Sequence, residues 1–260
     1  MNTWRWLDTG VRDAAENLAI SRALTYARRA GESPSTLRFL RFLPSAIVGL
    51  HGDPARELDV AYCRAQRIAV RKRPTGGGAI YMDEGVLGWE LHLARAEAGA
   101  ADMPAIARRL CEAVARSLES FGVAAVFRAP GDVVVAGRKI SGSGGAFEDE
   151  VITYQGTLLL DFDIERMLRT LGAMSEAGYQ SARARMIDLR RLLGVAPDPA
   201  AVARAMTTSF ESLFGVRFML GVLSSAELNF GGAGHDESEI DEGAGSGMGT
   251  TVVTTLGGMS

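Results

Sequence analysis

Several features that would quickly classify this sequence are missing from it. It has two cysteines, Cys63 and Cys111, in 260 residues, too few for a disulfide framework or a cysteine zinc site. It has no G-x-x-x-x-G-K-[ST] phosphate loop and no G-x-G-x-x-G opening a helix, so the two commonest nucleotide-binding fingerprints are excluded. No uninterrupted apolar run reaches membrane-spanning length. The N-terminal Trp4-Arg5-Trp6 leads into polar, helix-like sequence rather than an apolar targeting segment. A net charge of −3 gives no general attraction to nucleic acid, and 47% hydrophobic content excludes a disordered chain. There is no internal repeat. The expectation is a cytoplasmic protein with neither nucleic-acid nor membrane partners, long enough for one sizeable core.

What the sequence does contain is glycine in two informative places. Arg71-Lys-Arg-Pro-Thr-Gly-Gly-Gly-Ala-Ile-Tyr-Met-Asp83 leaves one apolar segment, turns through Gly76, Gly77 and Gly78, and enters another. Without a Cβ these residues can take positive φ and let a ligand approach the backbone. Arg73 adds a permanent charge with a planar fork of donors suited to phosphate or carboxylate. A plain inter-strand turn with a solvated basic flank accounts for the same residues. The second place is Gly131-Asp-Val-Val-Val-Ala-Gly-Arg-Lys-Ile-Ser-Gly-Ser-Gly-Gly145, an apolar strand, a turn and a strand of small residues enclosing Lys139. An inward-facing ammonium there would stabilise charge developing in acyl transfer. An outward-facing one would guard a sheet edge.

Periodicity predicts helices over 13–30, 55–66, 104–121, 163–171 and 199–214. It predicts strands over 35–43, 46–50, 68–72, 87–93, 124–127, 132–135, 138–146 and 151–161. Leu87 to Leu93 alternates with period two, and Ile106, Leu110, Cys111, Val114, Leu118 and Phe121 form a helical apolar stripe. This order fits an α/β (α+β) sandwich of mixed, largely antiparallel sheets with flanking helices, not a doubly wound parallel sheet. Residues 1–222 read as one domain. Residues 223–260 read as a Gly/Ser/acidic tail or linker, containing His235 and one candidate strand over Thr250–Leu256.

The two glycine segments, as Lys72-Arg-Pro-Thr-Gly-Gly-Gly-Ala-Ile-Tyr-Met-Asp83 and Gly137-Arg-Lys-Ile-Ser-Gly-Ser-Gly144, resemble the paired motifs of the lipoate-protein ligase family, within the lipoate/octanoate transferase and biotin ligase superfamily. Glu16–Leu24 is similar to that family's opening helix, Leu37–Phe42 to its first strand and Gln155–Asp161 to its returning strand. The resemblance covers residues 3–220 and implies a biotin/lipoate ligase catalytic-domain-like fold. It implies an ATP-dependent enzyme that converts lipoate to lipoyl-AMP, then passes the lipoyl group to a lysine of a lipoyl carrier domain. Carried over, Arg73, Gly76, Gly77, Gly78, Ala79, Ile80 and Tyr81 would line the ATP/lipoate site with Lys139, Ser141, Gly142 and Ser143. Lys139 would be the catalytic residue, and Asp132 would hold Mg²⁺ or simply cap its strand. Three positions depart from the pattern. Met82 replaces a histidine, Gly144 an alanine, and Gly49-Leu-His-Gly-Asp53 makes His51 the acyl-pocket candidate or a solvated loop residue.

The same resemblance implies that acyltransferases of the superfamily use a cysteine after the lysine motif. No cysteine follows Lys139, so the expectation is ATP-dependent ligation, with a separate small accessory subunit in place of the absent accessory domain. The alternatives are an octanoyl or lipoyl transferase acting from an acyl carrier without ATP, and a lipoate- or carrier-binding protein that does not catalyse.

Overall fold

The computed structural model describes residues 2–172 and 176–232, and its first element is one that periodicity does not reveal. Strand β1 (Thr3–Arg12) buries Trp4 and Leu7, but Arg5 interrupts its apolar signal. That arginine is satisfied 2.5 Å from Glu227 of a distant helix, a partner that local sequence cannot show. Helix α1 (Ala14–Arg29) follows, its N-terminus capped by Asp13, which accepts from the Glu16 amide. Then come β2 (Thr36–Phe42) and β3 (Ser45–Val48). The single helix predicted over 55–66 is two, α2 (Pro54–Glu57) and α3 (Val60–Ala65), because Leu58 is extended and Asp59 starts a fresh cap on the Tyr62 amide.

The chain continues through β4 (Ala69–Lys72), β5 (Ile80–Met82), β6 (Val86–Ala94), α4 (Met103–Leu118), β7 (Val126–Arg128), β8 (Asp132–Val135), β9 (Arg138–Glu148) and β10 (Val151–Leu159). It closes with α5 (Ile164–Thr170), α6 (Glu176–Ala184), α7 (Leu189–Leu193), α8 (Pro199–Phe214), β11 (Arg217–Leu220) and α9 (Ser225–Gly232). The eight-stranded sheet runs β11-β1-β2-β6-β10-β9-β8-β7, parallel only where β1 meets β2 and β11. A three-stranded sheet, β4-β3-β5, stands apart from it. The mixed, largely antiparallel architecture with flanking helices is therefore the observed one. The segment expected as tail begins with α9, whose Glu227 is buried against Arg5 and Ser33. His235 and Thr250–Leu256 lie outside the described residues. Among the described residues no helix is long and apolar enough to cross a membrane.

One face of the large sheet packs on α4 and α8. Trp89 sits 5.8 Å from the Tyr154 ring and 5.4 Å from Phe210, amid Ile106, Leu110 and Val114. Each such side chain contributes roughly 1.5–3 kcal/mol by leaving water. Cys111 lies in this core, as its helical spacing predicts. A second core, under the small sheet, joins Ile47, Cys63, Tyr81, Met82, Phe162 and Leu168.

The alternation in β6 has an unexpected meaning, since every residue from Val86 to Leu93 is buried. Trp89 and Leu91 enter the α4–α8 core, while Glu90 and His92 face α1 inside a polar network. Arg38 donates to Glu90 at 3.0 Å and to Asn17 Oδ1 at 2.5 Å. Gln155 Nε2 donates to Glu90 at 2.8 Å and to Ser21 at 3.1 Å. His92 Nδ1 lies 3.0 Å from Thr25 Oγ1. Burial alone would raise the Glu90 pKa, but Arg38, with His92 and Gln155, holds it at about 2.

A pH prediction follows from that depressed value. The contribution of Glu90 is fully present above its ordinary value of 4.5 and is lost as pH falls through about 2. Glu227, held at about 2 against its burial by Arg5, the Ser224 amide and Ser33, acts in the same direction. Urea midpoints measured at descending pH are expected to hold from neutrality down to that ordinary value and then to fall. A midpoint flat throughout the acid range would contradict the assignment.

Candidate active site

The glycine turn is built from the carbonyl side. The Arg73 guanidinium donates to Ile47 O at 3.1 Å, Gly76 O at 2.8 Å and Gly78 O at 2.9 Å, so it holds the bend in shape rather than standing free for an anion. Burial lowers its pKa to about 10, with Glu57 partly offsetting the effect. Of the three glycines only Gly77 has positive φ, 101°. Its carbonyl lies so close to Gly49 that a Cβ there would meet it at 1.9 Å. The Ala79 amide, expected to face a ligand, donates to the Glu57 carboxylate at 2.7 Å. The two groups expected to receive phosphate are thus already paired.

Lys139 reaches its position through a β-bulge. Asp132 pairs with Gly142 and Val133 with Ser141, but Val134 pairs with Lys139 and Val135 with Arg138. β9 therefore carries one extra residue between Lys139 and Ser141. Simple alternation would put Lys139 on the side of Ser141 and Ser143, but the extra residue returns it to the side of Gly142. The ion pair with Asp132, Nζ to Oδ1 at 2.6 Å, agrees with that placement. Residues beyond the end of β10 complete the clamp. The Lys139 amide donates to Arg185 O at 2.7 Å, and its carbonyl accepts from the Ile187 amide at 3.0 Å.

A cleft of about 790 Å³, counted out to its open mouth, runs along this face of the sheet. Arg73, Thr75, Gly76 and Ile80 line it from the glycine turn, and Gly142 to Gly145 from β9. Leu18, Leu40, Phe42, Ile47 and Met82 make much of its wall apolar. Asn17, Glu90 and Gln155 bring the polar network to its surface. These three, with Glu57, are the residues that sequence reasoning left aside. The signal for Glu90 was present in the form of a charge inside an otherwise apolar strand. Met82, in place of a histidine, makes its part of the wall apolar.

Other predicted residues have different places. The Tyr81 ring turns into the second core, 6.1 Å from Phe162, and Gly77, Gly78 and Ala79 do not border the cleft. Ser143 borders it, but its hydroxyl is engaged with Gly131 O, Tyr154 and Cys111 on the α4 side. Ser141 Oγ is buried with no hydrogen-bond partner among the described residues. His51 is exposed on the loop after β3 and is not part of the cleft wall, which corrects its reading as an acyl-pocket residue. Asp132 already serves two cations, Lys139 and Arg128, the latter at 2.8 Å. Among the described residues no cluster of His, Cys, Asp or Glu is arranged for a metal. The Mg²⁺ role expected of Asp132 does not fit this donor set.

Comparison with known proteins bears on the chemistry. Residues 13–211 match the family model described as the lipoyl protein ligase A/B catalytic domain. Octanoyltransferase LipM of Moorella thermoacetica is 27% identical over 249 residues, spanning 86% of this chain and 91% of that protein. Octanoyltransferase LipM of Kyrpidia tusciae is 28% identical over 258 residues, spanning 87% and 93%. A bi-partite lipoate protein ligase from Thermoplasma acidophilum superposes with a TM-score of 0.79 at 24% identity, over 89% of this chain and 91% of that one. Lipoate-protein ligase A bound with ATP gives 0.76 at 23%, over 89% and 93%. At such identities the structural likeness establishes the fold. The octanoyltransferase relatives overturn the expectation of an ATP-dependent adenylating ligase and agree with the transferase alternative.

Proposed function

Because this chain belongs to the lipoyl protein ligase A/B catalytic-domain family, we propose that it transfers a medium-chain acyl group, octanoyl or lipoyl, without ATP. The donor is an acyl carrier bearing a thioester, and the acceptor is a lysine of a lipoyl carrier domain. The observation that carries this reading is the alignment of octanoyltransferases along most of the chain. Two features of the site support it. The apolar wall suits an alkyl chain, each buried methylene contributing about 0.8 kcal/mol. The Lys139 ammonium, on the same side of β9 as Gly142 though not itself part of the cleft wall, suits the oxygen of a carbonyl under attack, where a fixed charge is most effective. Asp132 and the 185–187 segment orient it. With no adenylate to enclose, the role expected of an accessory subunit falls away.

The test is direct. The purified chain is mixed with octanoyl-loaded acyl carrier and unmodified lipoyl domain, without nucleotide, and the domain is weighed by mass spectrometry. Octanoylation of its lysine, unaffected by added ATP, is expected. Modification that appears only with ATP and free fatty acid would sink the reading.

A further inference from the structure

Thioester-to-amide transfer can proceed in two ways. An enzyme nucleophile can take the acyl group and hand it on, or the acceptor amine can attack the donor thioester directly. The first needs a thiol or an activated hydroxyl that meets the carbonyl carbon. The whole sequence has two cysteines, and both lie among the described residues. Cys63 is 1% exposed in the core beneath the small sheet, where burial and Asp59 raise its pKa. Cys111 is 0% exposed on α4, on the opposite side of the large sheet, with its Sγ 3.2 Å from Ser143. Burial pushes its thiol up to about 11. Neither borders the cleft.

The hydroxyls do no better: Thr75 borders the cleft, but none of the described residues stands in hydrogen-bond contact with its hydroxyl as an activating base. Thr157 Oγ1 is engaged with the Gly142 carbonyl at 3.3 Å, and Ser143 is committed on the α4 side. Thr25, His92 and Glu90 stand in the order of a hydroxyl–imidazole–carboxylate chain, at 3.0 Å and 3.4 Å. Thr25 and His92 are buried, however, and neither reaches the cleft wall.

We infer that the acyl group passes from donor to acceptor in one step sequence within a ternary complex, never bonded to this chain; the inference rests on the transferase reading. The acceptor's neutral ε-amine attacks the thioester carbonyl carbon, forming the C–N bond and placing an electron pair on oxygen beside Lys139. Collapse restores the carbonyl and breaks the C–S bond. The thiolate leaves and takes up the proton that the attacking nitrogen gives up, so thioester and amine become amide and thiol with no other reactant. The chain's contribution is to hold two partners in line and to stabilise the oxyanion.

Three readouts on the full chain test this. Initial rates with donor and acceptor both varied are expected to give intersecting lines. Intact mass after incubation with acyl donor alone, quenched in acid, is expected to show no acyl adduct. Cys63→Ala/Cys111→Ala, checked for native circular dichroism, is expected to keep its kcat. Parallel lines, an adduct on any side chain, or a folded double variant without activity would each overturn direct transfer while leaving the transferase reading standing. A wild-type chain that transfers nothing would overturn both.

Discussion

Lys139→Ala is expected to lower kcat for nucleotide-free acyl transfer by ~10²–10³-fold, the range found on removing one preorganised oxyanion donor. The size of the effect comes from how firmly the amine is held. The bulge in β9 sets its side of the sheet, Asp132 fixes it through an ion pair at 2.6 Å, and Arg185 and Ile187 bond its main chain. KM for the acyl donor should change much less, because the apolar wall that grips the chain is untouched. Lys139→Arg should recover little, since a planar fork cannot replace a compact ammonium without moving the carbonyl. Unfolding midpoints serve as the control, and Arg128 still neutralises Asp132 in the variant. A variant with near-normal kcat would remove this amine from the mechanism.

Arg38→Met is expected to cost about 3–5 kcal/mol of folding stability, the usual penalty for leaving a buried charge without its partner. Arg38 is 0% exposed, and its guanidinium serves Glu90, Asn17 and Thr9 together. Glu90 would then keep only Gln155 and His92. Adding Glu90→Gln to the same chain should restore part of the loss, because the orphaned charge disappears. Urea denaturation of the two variants decides the matter. Equal stability of Arg38→Met and the parent would mean that the pair is solvated, contrary to its burial. Asn17, Glu90 and Gln155 also line the cleft, so the single variant should lose acyl transfer as well.

Local sequence showed a good deal of this. The apolar stripe of α4, most of the strands and helices, and the mixed sheet architecture were legible from periodicity and turn chemistry. What escaped was fixed by long-range partners. β1 is obscured because Arg5 looks like a surface residue until Glu227, far along the chain, covers it. The orientation of Lys139 depends on a register shift between two strands, which alternation within one strand cannot show. Arg73 reads as an anion ligand until the fold turns three carbonyls toward it. The missing cysteine after Lys139 was real, but it admitted more than one inference. Activation by ATP is one way to do without an enzyme thiol, and direct attack on a thioester is another.

Trp89 offers a practical consequence. Its indole turns away from the cleft into the α4–α8 core and lies so near Gly156 that a Cβ there would meet the ring at 2.3 Å. Its Nε1 is buried without a hydrogen-bond partner among the described residues. The other two tryptophans, Trp4 and Trp6, sit on β1 against Phe214 and Phe39. The protein thus carries a built-in optical reporter. Loosening of the α4–α8 side of the sheet changes that indole's dielectric surroundings, so intrinsic fluorescence can follow loss of this core in real time without any attached label.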